Sequence, residues 1–223
     1  MDLRDMQDDI RMLQRALAHV YWIGGSPCSG KSSIASILAE TYGLVLYRTD
    51  DAYVRHEKTV TPQCQPIFHK LTHYTSEELW MRPVERQARE EIALYREEFP
   101  LILEEILALP KSEPVLVEGA ALLPECVVPL LSDMRNAIWL IPTAEFQQYH
   151  YERRAWAREV VRACTQPEQA FQNWMQRDIQ FARLIYQEAQ DRRMYVLEVD
   201  GTRSLAENTA FVEQYCQFDR LHH

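Results

Sequence analysis

The residues Gly25 to Ser32, with the sequence GSPCSGKS, constrain this chain more than any other segment. They match the pattern G-x-x-x-x-G-K-[ST], in which backbone N–H groups surround a phosphate. An apolar run at 20–23 precedes them, and residues 33–42 follow with apolar positions at helical spacing. The segment therefore predicts a strand, a phosphate-binding loop and a helix whose positive N-terminus faces the same anion. The predicted nucleotide contacts are Gly25, Ser26, Pro27, Cys28, Ser29, Gly30, Lys31, Ser32 and Ser33.

Two side chains of this loop have separate roles in the pattern. Lys31 supplies a mobile positive charge for the β- and γ-phosphates, and Ser32 supplies a hydroxyl ligand for Mg²⁺. The alternative interpretation is an ordinary Gly/Ser turn. The strand before the loop and the helix after it favour phosphate binding.

Length, charge and cysteine content limit the class of protein. The 223 residues are enough for a single α/β domain with a mobile insertion. A formal net charge of −9 argues against a nucleic-acid partner, because phosphate backbones require a basic face. No apolar run approaches the ~20 residues that span a bilayer, and the acidic segment 1–19 is unlike a signal peptide. Five irregularly spaced cysteines indicate neither a disulfide framework nor a zinc site, so we expect a cytoplasmic protein without a membrane partner. The sequence neither predicts nor excludes a homodimer.

Short apolar segments alternate with helical ones along the chain, which predicts an α/β fold with a parallel sheet covered on both faces. The predicted strands are 20–23, 44–47, 115–117, 137–141 and 194–199. The predicted helices are 3–19, 33–42, 77–109, 144–163, 168–191 and 204–217, with a cap at Ser76, a break at Pro100 and Ser204 capping the last helix. Residues 52–76 are predicted to be a long loop with short helical pieces, a feature that is usually functional.

Carboxylates follow the second and third predicted strands, at the sheet edge where ligands of such folds bind. Asp50 and Asp51 come after strand two, and either could accept a proton from an attacking hydroxyl or hold Mg²⁺ through water. Glu118 comes after strand three and could assist Mg²⁺ or contact a substrate, while Gly119 lets the chain turn close to the ligand. The alternatives are a solvated Asp-Asp turn and a strand-end carboxylate bound to nearby backbone.

Basic residues follow the fourth and fifth strands. Arg153, Arg154, Arg158 and Arg162 fall within ten residues, and the i, i+4, i+8 spacing of the last three predicts that they share one helix face. Such a row can stabilise charge on a transferring phosphoryl group, or it can be a solvated face paired with glutamates. The turn containing Gly201, Thr202 and Arg203 can frame an adenine ring, with the arginine stacking on it, or be a simple strand-to-helix turn.

The segment between strands two and three carries further His, Lys and Arg residues. These could contact a phosphoryl acceptor, and Arg86 is selected among them as a substrate-binding candidate. Most arginines of the 77–99 helix are expected to pair with its glutamates. The histidines lack the spacing of metal ligands, so a zinc site is not expected.

The chain resembles the P-loop small-molecule kinases, within the P-loop nucleoside triphosphate hydrolase superfamily. That group includes adenylate, shikimate and gluconate kinases and the chloramphenicol phosphotransferase-like enzymes. The resemblance rests on residues 25–33, Asp50-Asp51, Glu118-Gly119, the arginines at 153–162 and residues 200–203. It implies a three-layer fold with a five-stranded parallel sheet in the order 2-3-1-4-5, a helical lid at about 145–167 and an acceptor-binding insertion at about 52–114. It also implies ATP and Mg²⁺ as cofactors.

These observations together favour an ATP-dependent phosphotransferase acting on a hydroxyl of a small molecule. Lys31, Asp50, Arg154 and Arg158 are the expected catalytic residues, Asp50 being the base. Ser32, Asp50 and Glu118 are the expected metal contacts, and Asp50, Asp51, Glu118, Gly119 and Arg86 the expected substrate contacts. A nucleoside or nucleoside-monophosphate kinase would share the same nucleotide residues and differ at 52–114. A regulatory ATP-binding module with little turnover would need neither the Asp pair nor the arginines.

Overall fold

The computed structural model describes residues 3–218 and 220, so the first two residues of the acidic segment 1–19 lie outside the described part. The strands are β1 (Val20–Gly25), β2 (Val45–Arg48), β3 (Val115–Glu118), β4 (Ala137–Pro142) and β5 (Val196–Val199). The helices are α1 (Leu3–Ala16), α2 (Lys31–Tyr42), α3 (Thr49–His56), α4 (Pro66–Thr72), α5 (Ser76–Trp80), α6 (Val84–Leu107), α7 (Pro124–Val127), α8 (Ala144–Glu152), α9 (Ala155–Val161), α10 (Pro167–Asp191) and α11 (Leu205–Cys216). Short 3₁₀ turns occupy Val128–Leu130 and Met134–Asn136.

The strands form one five-stranded parallel sheet in the order β2-β3-β1-β4-β5. This confirms the predicted α/β class and the strand order. β1 is central, pairing with β3 on one side and β4 on the other. All strands run in the same direction, so the ends of β1, β2 and β3 place the phosphate loop, Asp50 and Glu118 at one edge of the sheet.

The sheet is covered on both faces, because alternate residues of each strand point to opposite sides. On β1, Trp22 packs in the core formed with α6 and α10, whereas Ile23 packs in the core formed with α2 and α11. On β4, Trp139 packs in the same core as Trp22, and Leu140 packs in the same core as Ile23. β1 and β4 are therefore apolar along their whole length, as expected for strands of a buried parallel sheet. No helix in the described part of the chain has the length and apolar character needed to cross a membrane.

Helix boundaries differ from the sequence prediction at defined points. Thr75, not Ser76, caps α5, and it forms a capping box with Glu78. Pro100 lies inside α6 and does not break it. Its ring is on the exposed side, while Phe99 and Ile102 are buried beside it, so packing holds the helix together despite the missing N–H. The predicted break occurs instead at residues 81–83, which separate α5 from α6.

The predicted helix 144–163 is two helices, α8 and α9, which meet at residues 153–154. Arg154 is consequently the N-cap of α9, Arg158 lies within it and Arg162 is its C-cap. The expectation of three arginines on one continuous helix face is wrong. Gly43 ends α2 in a left-handed conformation, and Ser204 caps α11 as predicted.

Candidate active site

The phosphate loop, residues 25–32, leaves the sheet at the end of β1 and enters α2. A Cβ atom on Gly25 would lie 2.0 Å from the Leu140 carbonyl oxygen, so only glycine allows β1 and β4 to approach this closely. The Ser26 N–H donates to the same carbonyl at 3.2 Å. Gly30 is the N-cap of α2 with φ of 85°, so the N-terminal N–H groups of α2 belong to the loop. The loop is thus anchored to the sheet at one end and presents a helix N-terminus at the other.

Lys31 lies inside the loop. Its Nζ donates hydrogen bonds to the Ser26 carbonyl at 2.7 Å and to Ser29 Oγ at 3.4 Å. Burial lowers the pKa of Lys31, and the carboxylates of Glu118 and Asp50 act in the opposite direction. An ammonium group held by loop oxygens is the kind of donor that phosphate oxygens accept hydrogen bonds from.

Glu118 is nearly fully buried at the end of β3. Ser32 Oγ donates to its Oε2 at 3.2 Å, and Arg48 Nε lies 3.9 Å from its Oε1. Burial raises the pKa of Glu118, while Lys31 and the Ser32 hydrogen bond lower it. Next to it, a Cβ on Gly119 would lie 1.7 Å from Thr49 Oγ1, so glycine brings β3 against the start of α3.

The donor set of this site fits Mg²⁺ bound together with a nucleotide. Across residues 3–218 and 220, no three His, Cys, Asp or Glu side chains form a group able to hold a metal ion. Mg²⁺ commonly takes one or two protein oxygens and completes its shell with phosphates and water. The Ser32 hydroxyl and the adjacent Glu118 carboxylate are of that kind.

A cavity of about 390 Å³ surrounds the phosphate loop, and we call it the phosphate cavity. Its lining comprises residues 27–33, Asp50, Tyr95, Glu118, Gly119, Ala120, Tyr151, Arg154 and Trp156. Arg154 reaches it from the junction of α8 and α9, with its guanidinium carbon 5.4 Å from the Tyr151 ring and 5.8 Å from the Trp156 ring. The cavity therefore combines predicted nucleotide residues with a cation from the predicted lid.

A second cavity, of about 310 Å³, lies beside it and is called the insertion cavity. It is lined by Thr49, Asp50, Tyr53, Leu71, Leu79, Trp80, Arg82, Glu91, Leu94, Tyr95, Glu98, Ala121 and Arg177. Asp50 and Tyr95 line both cavities. A group bound in the insertion cavity would therefore meet a group bound in the phosphate cavity at Asp50.

Some predicted site residues line neither cavity. Arg158 pairs with Glu168 at 2.6 Å and packs over Phe171, and Arg86 pairs with Glu90 at 3.2 Å. Asp51 is exposed, and its carbonyl accepts a hydrogen bond from Arg55. Arg153 packs over Tyr149, and Arg162 pairs with Glu159. Within the arginine row, Arg154 alone lines the phosphate cavity.

The turn after β5 lies at the other end of the phosphate loop. The Thr202 N–H and hydroxyl both donate to Asp200 Oδ1, at 2.9 Å and 2.7 Å, which fixes the turn. A cavity of about 410 Å³ opens there, lined by Glu145, Phe146, Tyr149, His150, Asp200 and Gly201. Arg203 packs over Phe211 at 5.7 Å and does not line it.

The segments predicted as lid and insertion are joined by direct contacts. The Glu77 carboxylate accepts hydrogen bonds from the Thr165 N–H and hydroxyl, both at 2.7 Å. Trp80 stacks on Trp174 with ring centroids 4.8 Å apart, and Asn173 Nδ2 donates to the Trp80 carbonyl at 2.9 Å. These contacts join α5 to the segment that follows α9 and to α10.

Several cavity residues were not among the predicted site residues. Trp80 lies in the predicted insertion but matches no motif, whereas Arg82 is one of the basic residues of that segment that were predicted as possible acceptor contacts. Arg177, with Asp178, occupies a buried position of α10 between Trp174 and Phe181. A charged pair within an apolar stripe was the available signal, because buried charges are rare unless they are paired or functional.

No family model and no curated protein matches this chain. Among solved structures, the chain is similar to shikimate kinase from Acinetobacter baumannii in complex with shikimate. That similarity has a TM-score of 0.47 and 15% sequence identity, and it covers 93% of this chain and 99% of that chain. The chemistry proposed below therefore rests on the side chains around Asp50.

Proposed function

We propose that this chain is an ATP-dependent phosphotransferase that transfers the γ-phosphate to a hydroxyl of a small molecule. The observation that carries the proposal is the position of Asp50, which lines both the phosphate cavity and the insertion cavity. A carboxylate between a phosphate site and a second pocket is where a base for phosphoryl transfer is needed.

The nucleotide would lie along the phosphate loop. Residues 25–33 would hold the triphosphate, and the cavity at Gly201 and Phe146 would take the adenine. Leu205 at the start of α11 lies near Gly30, so the two regions adjoin. Ser32 would be a direct Mg²⁺ ligand and Glu118 would act through water, and bound Mg²⁺ would offset charge on the β- and γ-phosphates.

In the proposed reaction, the acceptor hydroxyl lies against Asp50. Its oxygen forms a bond to the γ-phosphorus, while the bond from that phosphorus to the oxygen bridging the β-phosphate breaks. The hydroxyl proton passes to Asp50, and ADP leaves with the bridging oxygen. Lys31 and Arg154 stabilise the negative charge on the transferring group.

Two competing functions predict different properties of the insertion. A regulatory ATP-binding module has no use for a second pocket that shares a carboxylate with the phosphate site. A nucleoside or nucleoside-monophosphate kinase would use the same nucleotide residues, and the insertion cavity would have to fit its acceptor.

We also propose a reducing, cytoplasmic setting, since all five cysteines lie in the described part of the chain and none forms a disulfide.

The adjacent aspartates provide a matched test. ADP formation is measured with Mg²⁺-ATP against a panel of hydroxylated metabolites, nucleosides and nucleotides. Asp50→Asn should lower the turnover rate about 10²- to 10⁴-fold, whereas Asp51→Asn should leave it nearly unchanged. Both variants should bind nucleotide and keep the native circular dichroism spectrum. Equal activity of Asp50→Asn and the unmodified chain would refute the role of Asp50.

A further inference from the structure

The arginines of the insertion cavity already have carboxylate partners. Arg82 pairs with Glu90, and its side chain is 12% exposed. Arg177 pairs with both Glu91 and Asp178, at 2.5 Å from Nε to Oδ1 for the latter, and its side chain is 10% exposed. A buried guanidinium neutralised in this way offers little further stabilisation to an incoming anion.

Other cations near this cavity lie outside it. Lys70 and Arg86 also pair with Glu90, but their side chains are 36% and 47% exposed and line neither cavity. They therefore contribute to the outer surface of the insertion and not to the binding pocket.

The carboxyl groups of the insertion cavity are less fully compensated. In the part of the chain that the structure describes, neither Asp50 nor Glu98 forms an ion pair with lysine or arginine. Glu98 is 1% exposed, with Oε1 3.1 Å from His56 Nδ1. Burial, together with the charges of Asp50, Glu91 and Glu105, raises the pKa of Glu98 to about 8. Glu98 thus keeps its proton at neutral pH, and a cation bound beside Glu98 would displace that proton and pair with the resulting carboxylate.

Aromatic side chains also favour a cationic ligand in the insertion cavity. Tyr53, Trp80 and Tyr95 line the insertion cavity together with leucines. Aromatic rings attract cations through their quadrupole, and they also provide area for an apolar body. A pocket of aromatic rings and carboxyl groups is the usual chemistry of amine recognition.

Building on the proposed phosphotransferase function, we propose that the acceptor is an alcohol with an aromatic or apolar body and a positively charged amine. It would occupy the insertion cavity with its amine near Glu98 and its hydroxyl near Asp50. The volume of about 310 Å³ is at the small end of ligand pockets, which suits a compact compound. A phosphorylated acceptor such as a nucleoside monophosphate would lack unpaired cations here.

A matched series of probes separates the charge classes. 2-Amino-1-phenylethanol, 1-phenylethane-1,2-diol and mandelate share a ring and a hydroxyl and differ in being cationic, neutral and anionic. Binding of each to the full chain is measured by calorimetry at pH 7 with a non-hydrolysable ATP analogue and Mg²⁺. We expect the amine to bind about tenfold to hundredfold more tightly than the diol, and mandelate to bind most weakly.

A pair of variants locates the effect. Glu98→Gln keeps the size and the hydrogen bond to His56, and it should reduce the preference for the amine over the diol to less than about threefold. Glu104→Gln, at an exposed position of the same helix, should keep the full preference. Retained preference in Glu98→Gln would overturn the assignment of the amine to Glu98.

The remaining outcomes are also decisive. Equal binding of the amine and the diol, tighter binding of mandelate or a nucleoside monophosphate, or no binding of the amine would overturn the proposed acceptor class. Binding of the ATP analogue in the same titrations tests the proposed function separately. Its loss would refute the phosphotransferase itself, whereas intact nucleotide binding with the wrong acceptor preference would refute only this inference.

Discussion

The Ser32 hydroxyl donates a hydrogen bond to Glu118, with 3.2 Å between Oγ and Oε2, although 86 residues separate the two in the chain. This contact connects the first turn of α2 to the end of β3. The two oxygens therefore occupy fixed positions before any ligand arrives, as is favourable for binding a small, rigidly coordinated cation.

Replacing the carboxylate should change the magnesium requirement. Glu118→Gln removes the charge but keeps the shape, so half-maximal ADP formation should need about 10- to 100-fold more Mg²⁺. The measurement is the initial rate over a Mg²⁺ titration at saturating ATP. Glu40→Gln, an exposed substitution on α2, is the control and should leave the requirement unchanged. An unchanged Mg²⁺ requirement in Glu118→Gln would rule out its part in metal binding.

Removing the buried ammonium should abolish transfer. Lys31→Ala leaves the phosphate oxygens without their cation, and turnover should fall on the order of 10²-fold or more while the fold remains intact. The control is Lys58→Ala, at an exposed position of the insertion. Initial rates and circular dichroism of both variants check this, and normal turnover of Lys31→Ala would contradict the assignment.

Two arginines on either side of the start of α9 should behave differently. Arg154 lines the phosphate cavity, whereas Arg158 is paired with Glu168 outside it. Arg154→Ala should lower kcat about 10²-fold, because the transferring charge loses a cation, and Arg158→Ala should change it less than about threefold. Steady-state kinetics of the two variants and the unmodified chain measure these changes in kcat. The reverse order would contradict the role assigned to Arg154.

The buried carboxyl of Glu98 should make stability depend on pH. From its ordinary pKa of 4.5 up to about 8, the native state keeps a proton on Glu98 that the unfolded chain releases. Stability therefore falls as pH rises through this window, and Glu98→Gln removes that loss. The Tm of the variant minus that of the unmodified chain should be at least about 2 °C more positive at pH 8.5 than at pH 5.5.

The same experiment has an internal control. Glu104→Gln, one exposed carboxylate farther along α6, should give the same Tm difference at both pH values. A flat response of Glu98→Gln would show that Glu98 is ionised in the native state.

The sheet and the conformation of the phosphate loop were predictable because each depends on local sequence. Short apolar runs specify buried parallel strands, and the spacing of Gly25, Gly30 and Lys31 specifies a loop and its partners. The strand order followed from the family resemblance. Asp50 and Glu118 could be placed near the loop because all strand ends meet at one edge.

The helices of the insertion and lid were less predictable, because tertiary packing overrides local signals there. Pro100 predicts a break in the helix, but packing of the buried neighbours Phe99 and Ile102 keeps α6 continuous. The spacing of the arginine row predicts a single face of one helix, but the helix is interrupted at residues 153–154. Arg177 could not be assigned to a pocket from sequence, since Glu91, its partner across the cavity, is 86 residues away.

The central position of β1 sets the order in which the molecule can become competent during its synthesis. The phosphate loop precedes β3 and β4 in the chain, but the Ser26 N–H donates to the Leu140 carbonyl and the Ser32 hydroxyl donates to Glu118. While β3 and β4 are still inside the ribosome, the emerged loop lacks its hydrogen bonds to Leu140 and Glu118. Nucleotide capture by a nascent chain should therefore begin only after Pro142 has left the exit tunnel, well after the loop itself has emerged.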